Sequence, residues 1–167
     1  MNTKYYLAYG SNLNRYQMRV RCPGAKPLGT AVIKNYRLLF KGSQTGAYLT
    51  IEPAEGYNVP VAVWSVTEED ERMLDRYEGY PAFYYKAGLT ITYKGILSNL
   101  PRTCTAFVYI MHEERKLGIP SSRYFTTCAQ GYRDFGFDTA LLMEAYNHSF
   151  YTEAELSLIH ISEPTRP

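Results

Sequence analysis

The sequence predicts one α+β domain built on a twisted or closed antiparallel sheet. Three observations point there: roughly six β-rich runs fill residues 4–111, one helical pattern interrupts them, and two more helical patterns follow at the end. Runs of strands without a helix after each one pair as neighbours in antiparallel sheets, whereas alternating βαβ units would give a parallel sheet. A chain of 167 residues suits a single core, and 46% hydrophobic with 20% charged residues is globular composition, far from that of a disordered chain.

In order, Lys4–Tyr9 is an apolar, β-prone run, and Gly10-Ser11-Asn12 breaks it with residues that turns and helix caps favour. Leu13–Val20 holds one or two helical turns that end before Cys22-Pro23-Gly24. Gly29–Phe40 alternates and then runs apolar. After the Gly42-Ser43 turn, Ala47–Ile51 repeats that pattern, and Val59–Val66 forms a further strand. Thr67 caps a helix over Glu68–Tyr77, where the carboxylates of Glu68, Glu69 and Asp70 meet the positive end of the dipole; Gly79 and Pro81 stop it. Phe83–Tyr93 and Thr103–Met111 read as long strands joined through Gly95 and Pro101. Ser121–Gly131 and Asp138–Asn147 read as helices, each opened by a capping residue. Residues 1–156 form the domain. Ser157–Pro167 ends in Pro-Thr-Arg-Pro, fits no element and reads as a tail of read-through type, excluded from any site.

Charge and cysteine usage remove several function classes. Eighteen basic against sixteen acidic residues give a net charge of +2, without the concentrated basic face that nucleic acid requires. No run approaches the roughly 20 apolar residues of a membrane span, and no signal peptide is legible. Cys22, Cys104 and Cys128 are odd in number, widely spaced and without a CxxC pair, which fits a reducing cytoplasm and suggests neither a disulfide framework nor a zinc knuckle. His112 and His148 read as surface residues without metal-ligand spacing, and His160 lies in the tail, so no metal or cofactor is expected. GxGxxG and the P-loop are both absent. Seventeen tyrosines beside seven phenylalanines and one tryptophan suit a β-rich core with hydroxyl-bearing rims.

Two constellations remain. The Gly10-Ser11-Asn12 loop leaves a strand and enters a helix, so it is either a tight turn with Asn12 as cap or a group of backbone amides able to hold an anion. Within Asp75–Tyr85, DRYEGYPAFYY, Glu78 ends a helix, where the dipole disfavours a carboxylate. Burial among Tyr77, Tyr80, Phe83, Tyr84 and Tyr85 would push it further toward the near-neutral range of a general acid/base; the alternative is a solvated glutamate at a helix end.

LAYGSNL paired with LDRYEGYP downstream resembles the γ-glutamylcyclotransferase-like family. GTAVIKNYRLLF, VPVAVWSVTEEDERMLD, CTAFVYIM and PSSRYFTTCAQGYRDFGF match in the same order, so the resemblance spans about Tyr5 to Phe137. It implies a small antiparallel β-barrel of about six strands flanked by helices, with the loop and the glutamate facing one cavity. By motif position, Tyr9, Gly10, Ser11, Asn12 and Leu13 hold the substrate, Glu78 is the proton shuttle, and Tyr85, Tyr109 and Tyr124 line the pocket. Where many members carry Gly-x-x-Glu-x-Gly, this chain has Gly131-Tyr132-Arg133-Asp134-Phe135-Gly136 with a shorter acid. The implied reaction releases 5-oxoproline from a small-molecule γ-glutamyl substrate. A non-catalytic binder of the same fold and an enzyme that removes a γ-glutamyl protecting group during biosynthesis are the alternatives. The motifs leave the substrate's amine portion and the oligomeric state open.

Overall fold

A computed structural model describes residues 2–150; the tail at 157–167 lies outside the described residues. The strands are β1 (Thr3–Ala8), β2 (Lys26–Lys41), β3 (Tyr48–Thr67), β4 (Tyr84–Gly95) and β5 (Pro101–Met111). The helices are α1 (Arg15–Arg21), α2 (Glu68–Glu78), α3 (Ser122–Asp134) and α4 (Ala140–Ser149). The strands close into a barrel in the order β1-β3-β2-β4-β5. All neighbours are antiparallel except β1 and β5, which close the barrel in parallel through Tyr5↔Ala106 and Tyr6↔Phe107.

Five strands replace the expected six because Ala47–Ile51 and Val59–Val66 belong to one strand, β3. No strand is expected over residues 52–58, yet β2 pairs with β3 on both sides of residues 54–57, which bulge out opposite Asn35, and a lesser irregularity lies near Gly29. β1 joins β3 only at residues 62–67, so among the described residues one edge of β3 has no strand partner over residues 48–61, and the missing N–H groups of Pro53 and Pro60 break no ladder there. Asn35 takes φ +62° and its Oδ1 accepts from the Gly56 amide at 3.0 Å, which absorbs the kink.

Thr67 and Ser121 cap α2 and α3 as the sequence indicates, whereas Asn14 rather than Asn12 caps α1. Thr67 Oγ1 accepts from the Asp70 amide at 3.1 Å and Asp70 Oδ2 accepts from the Thr67 amide at 3.0 Å, a reciprocal capping box at the start of α2. Asp70 also accepts from the Gly24 amide, tying α2 to the segment after α1. Leu7, Phe40, Leu49, Ile51, Val61 and Leu74 are fully buried in the barrel core, each worth about 1.5–3 kcal/mol of apolar transfer. α3 packs on the turn that follows β1, and α4 lies against β2. The shorter acid of the closing segment, Asp134, reaches α1: Oδ2 accepts from the Arg15 amide at 3.0 Å, a favourable place for a carboxylate.

Candidate active site

β1 delivers its last residues to one end of the barrel, and the chain turns there in a single 3₁₀ turn, Ser11–Leu13. The Leu13 amide donates to Gly10 O and the Asn14 amide to Ser11 O, each at 3.0 Å. Gly10, Ser11 and Asn12 supply the first-turn N–H groups, which a helical turn cannot satisfy internally. Asn14 caps α1 through the Gln17 amide at 2.9 Å and anchors to Thr127 O of α3 at 3.2 Å. The loop is thereby held from both sides.

α2 brings Glu78 to the same place. Its C-cap, Gly79, sits at φ +64°, a left-handed conformation that favours glycine, and lets the chain leave the helix immediately after the glutamate. The cavity between loop and helix is lined by Gly10, Ser11, Asn12, Glu78 and tyrosines 6, 9, 84, 109 and 124, with Leu49. Glu78 as a whole residue is half-buried, but its carboxyl faces this enclosed space. Desolvation raises the carboxyl from 4.5 to about 8, with Arg21 pulling the other way. The carboxyl is thus shielded from bulk water rather than solvated at the helix end.

The surrounding hydroxyls are engaged. Tyr9 OH donates to Tyr109 O at 2.7 Å, Tyr84 OH to Leu49 O at 2.7 Å, and Tyr109 OH to Asp75 Oδ1 at 2.6 Å. Tyr124 OH accepts from the Leu49 amide at 3.1 Å. Lys86 bonds both Asp75 at 2.8 Å and Glu71 at 2.6 Å, which supports α2 behind the tyrosines. Free space in the cavity is about 20 Å³, the scale of one water.

Of the residues named from sequence, Tyr9, Gly10, Ser11, Asn12, Glu78, Tyr109 and Tyr124 converge on this cavity. Two do not line it. Leu13 is fully buried and packs toward α3, near Gly131. Tyr85 is a correction: adjacent side chains on a strand point to opposite faces, so its neighbour Tyr84 enters the cavity while Tyr85 donates to Glu113 and lies against His112. His112 and His148 are half-buried rather than plain surface residues. Sequence reading also missed Tyr6, whose buried hydroxyl accepts from Asn12 Nδ2 at 2.9 Å, although alternation along β1 places it on the face of Ala8. Among the described residues, no group of three or more His, Cys, Asp or Glu gathers as a metal site, and no helix is long and apolar enough to cross a membrane.

A roomier groove of about 790 Å³ opens where β2 and β4 diverge beyond their two paired positions. Its lining carries Lys34, Lys94, Tyr36 and Tyr93 but no carboxylate, thiol or imidazole.

Residues 6–126 match the family model described as gamma-glutamyl cyclotransferase, AIG2-like. The chain is similar to a solved gamma-glutamyl cyclotransferase at TM-score 0.71 and 23% identity, over 91% of this chain and 89% of that one. It is similar to an uncharacterized protein from Homo sapiens at TM-score 0.68 and 23% identity, over 92% and 89%. It is also similar to a yeast gamma-glutamyl cyclotransferase specific to glutathione at TM-score 0.59 and 12% identity, over 89% and 97%. At these identities the structural likeness is one of fold. No curated protein matches the chain significantly in sequence.

Proposed function

Because the chain belongs to the gamma-glutamyl cyclotransferase, AIG2-like family, we propose that it cyclises a γ-glutamyl amine or amino acid to 5-oxoproline, with Glu78 moving the protons. The observation that carries this reading is the Glu78 carboxyl, raised to about 8 inside a tyrosine-lined cavity that it shares with Gly10, Ser11 and Asn12 of the loop.

A γ-glutamyl substrate brings its own nucleophile. The α-nitrogen bonds to the γ-carbonyl carbon, the amide C–N bond breaks, and the five-membered lactam leaves with the freed amine. Folding the substrate so that amine and carbonyl meet supplies proximity, worth effective molarities of about 10⁵ M or more. Amides of Gly10, Ser11 and Asn12 hold the carboxylate of the glutamyl group or the developing oxyanion. Glu78 accepts one proton of the α-ammonium and returns it to the leaving amine; the second proton, lost by the attacking nitrogen as it becomes the lactam N–H, follows the same path and departs on the freed amine as its ammonium. The α-ammonium of a γ-glutamyl compound, beside its own carboxylate, titrates about one unit above the roughly 8 of a chain N-terminus, so transfer to this carboxyl is only mildly uphill, close to the matched condition general catalysis favours.

That match predicts a narrow pH profile. Productive encounter needs one proton shared by Glu78 and the substrate amine. Below about 8 both are protonated and the nucleophile is blocked; above it neither can protonate the leaving amine. A bell-shaped kcat/KM centred near pH 8 is expected. A profile flat from pH 6 to 10 would contradict the proton-shuttle role.

The direct test is a panel of γ-glutamyl amino acids, γ-glutamyl-ε-lysine and glutathione, assayed for 5-oxoproline. Release from at least one member is expected. Failure across the panel, with binding of the same compounds intact, would favour a non-catalytic binder.

A further inference from the structure

Arg21 is the last residue of α1 and belongs to none of the segments that marked the site in sequence. Its guanidinium donates to Asn12 Oδ1 and lies over the Tyr77 ring, 3.3 Å from Cζ to the centroid. The Tyr77 hydroxyl meets Ser11 Oγ at 3.3 Å. Contacts therefore run from α1 to the loop, from the loop to α2, and from α2 back to α1.

A guanidinium donates and cannot accept, so only the carboxamide oxygen of Asn12 can face Arg21. Nδ2 is consequently turned the other way, 2.9 Å from the Tyr6 hydroxyl and 3.5 Å from Glu78 Oε1. We propose that Arg21 is a positioning residue: it fixes the Asn12 carboxamide with its donor end toward Glu78, and so presents the carboxylate with a hydrogen-bond donor and a nearby cation. Its catalytic consequence rests on the cyclotransferase reading, but its hold on the carboxyl does not.

Little else in the site carries charge. Glu78 is faced by Tyr6 and Tyr9 at the end of β1, Tyr84 of β4, Tyr109 of β5, and Tyr124 and Cys128 of α3. Burial raises all six, so they stay neutral near pH 7. Asp75, one turn earlier on α2, is engaged by Lys86 and Tyr109. Among the described residues, Arg21 is left as the charge that opposes desolvation of the carboxyl.

The test compares Arg21→Gln and Arg21→Lys with the parent protein by two readouts. One is carbon-13 NMR of the Glu78 carboxyl, assigned with Glu78→Gln; the other is the pH dependence of kcat/KM on the most active γ-glutamyl compound. In Arg21→Gln both the cation and the lock on Asn12 are gone. The NMR midpoint is expected to rise by about one pH unit, the kcat/KM optimum to move upward, and kcat at pH 7 to fall about tenfold. Arg21→Lys should recover most of the midpoint but not kcat, because an ammonium cannot both stack on Tyr77 and reach Asn12 with the same geometry. An unchanged midpoint in folded Arg21→Gln overturns the proposal; full recovery of kcat in Arg21→Lys overturns its positioning half. If Arg21→Gln does not fold, Asn12→Ser removes the carboxamide alone, and a midpoint that stays put there overturns the proposal equally. A shifted midpoint without turnover on any γ-glutamyl compound would instead sink the cyclotransferase reading and support the hold of Arg21 on the carboxyl.

Discussion

Glu78→Gln is expected to cut 5-oxoproline release by about 10²- to 10⁴-fold and to leave the protein folded, and above pH 7 more stable than its parent. The loss follows from chemistry: an amide of the same shape keeps the fit but neither takes nor returns a proton. The stability gain follows from linkage. The folded carboxyl is raised to about 8 against 4.5 in the unfolded chain. Below 4.5 both states hold the proton and desolvation costs nothing extra. Between 4.5 and about 8 the unfolded state releases a proton that the folded state keeps, so stability falls as pH rises, by up to about 1.4 kcal/mol per pH unit. A glutamine side chain does not titrate, so the variant should lack that slope. Thermal melting at pH 5 and pH 8 checks this: the two proteins should melt together at the lower pH and separate at the higher. Full 5-oxoproline release by the folded variant would remove Glu78 from the mechanism, whereas parallel melting curves would mean that its carboxyl is not desolvated.

How far the sequence could be read depended on whether the determining interaction was local. The α2 capping box, the Gly79 stop and the break after β1 are set by neighbours within a few residues, and all three were legible. The β3 strand was not. Pro53 and Gly56 interrupt the strand pattern between its two expected halves, and what joins the halves is pairing with β2 on both sides of the bulge at residues 54–57, a property of the closed sheet. The site divides the same way. The loop and Glu78 stand out as motifs, but choosing Tyr84 over Tyr85 required knowing which face of β4 turns inward, a choice that reverses with a one-residue step. Arg21 belongs to no motif. Its role depends on α1 packing against both the loop and α2, and no spacing in the chain encodes that.

Gly131→Ala should couple stability to activity through that packing. Gly131 lies inside α3 with an ordinary helical backbone, so Ala there would by intrinsic propensity stabilise the helix by about 1 kcal/mol. Space decides otherwise. A Cβ at Gly131 would sit 2.6 Å from the Asn14 amide nitrogen, 2.6 Å from Leu13 Cβ and 2.8 Å from the Leu13 carbonyl carbon. Two of these atoms are backbone and cannot rotate away, so α3 must separate from the turn that carries Ser11 and Asn12. Overpacking of this kind costs about 1–3 kcal/mol and outweighs the propensity gain. The displaced turn also carries the amides proposed to hold the substrate, so KM should rise severalfold. Gly88→Ala is the control: no atom lies within 4 Å of its Cβ, and neither stability nor KM should fall. Urea midpoints and kcat/KM for the two variants decide the matter. A Gly131→Ala protein at least as stable as its parent with unchanged KM would show that α3 does not hold the loop in place.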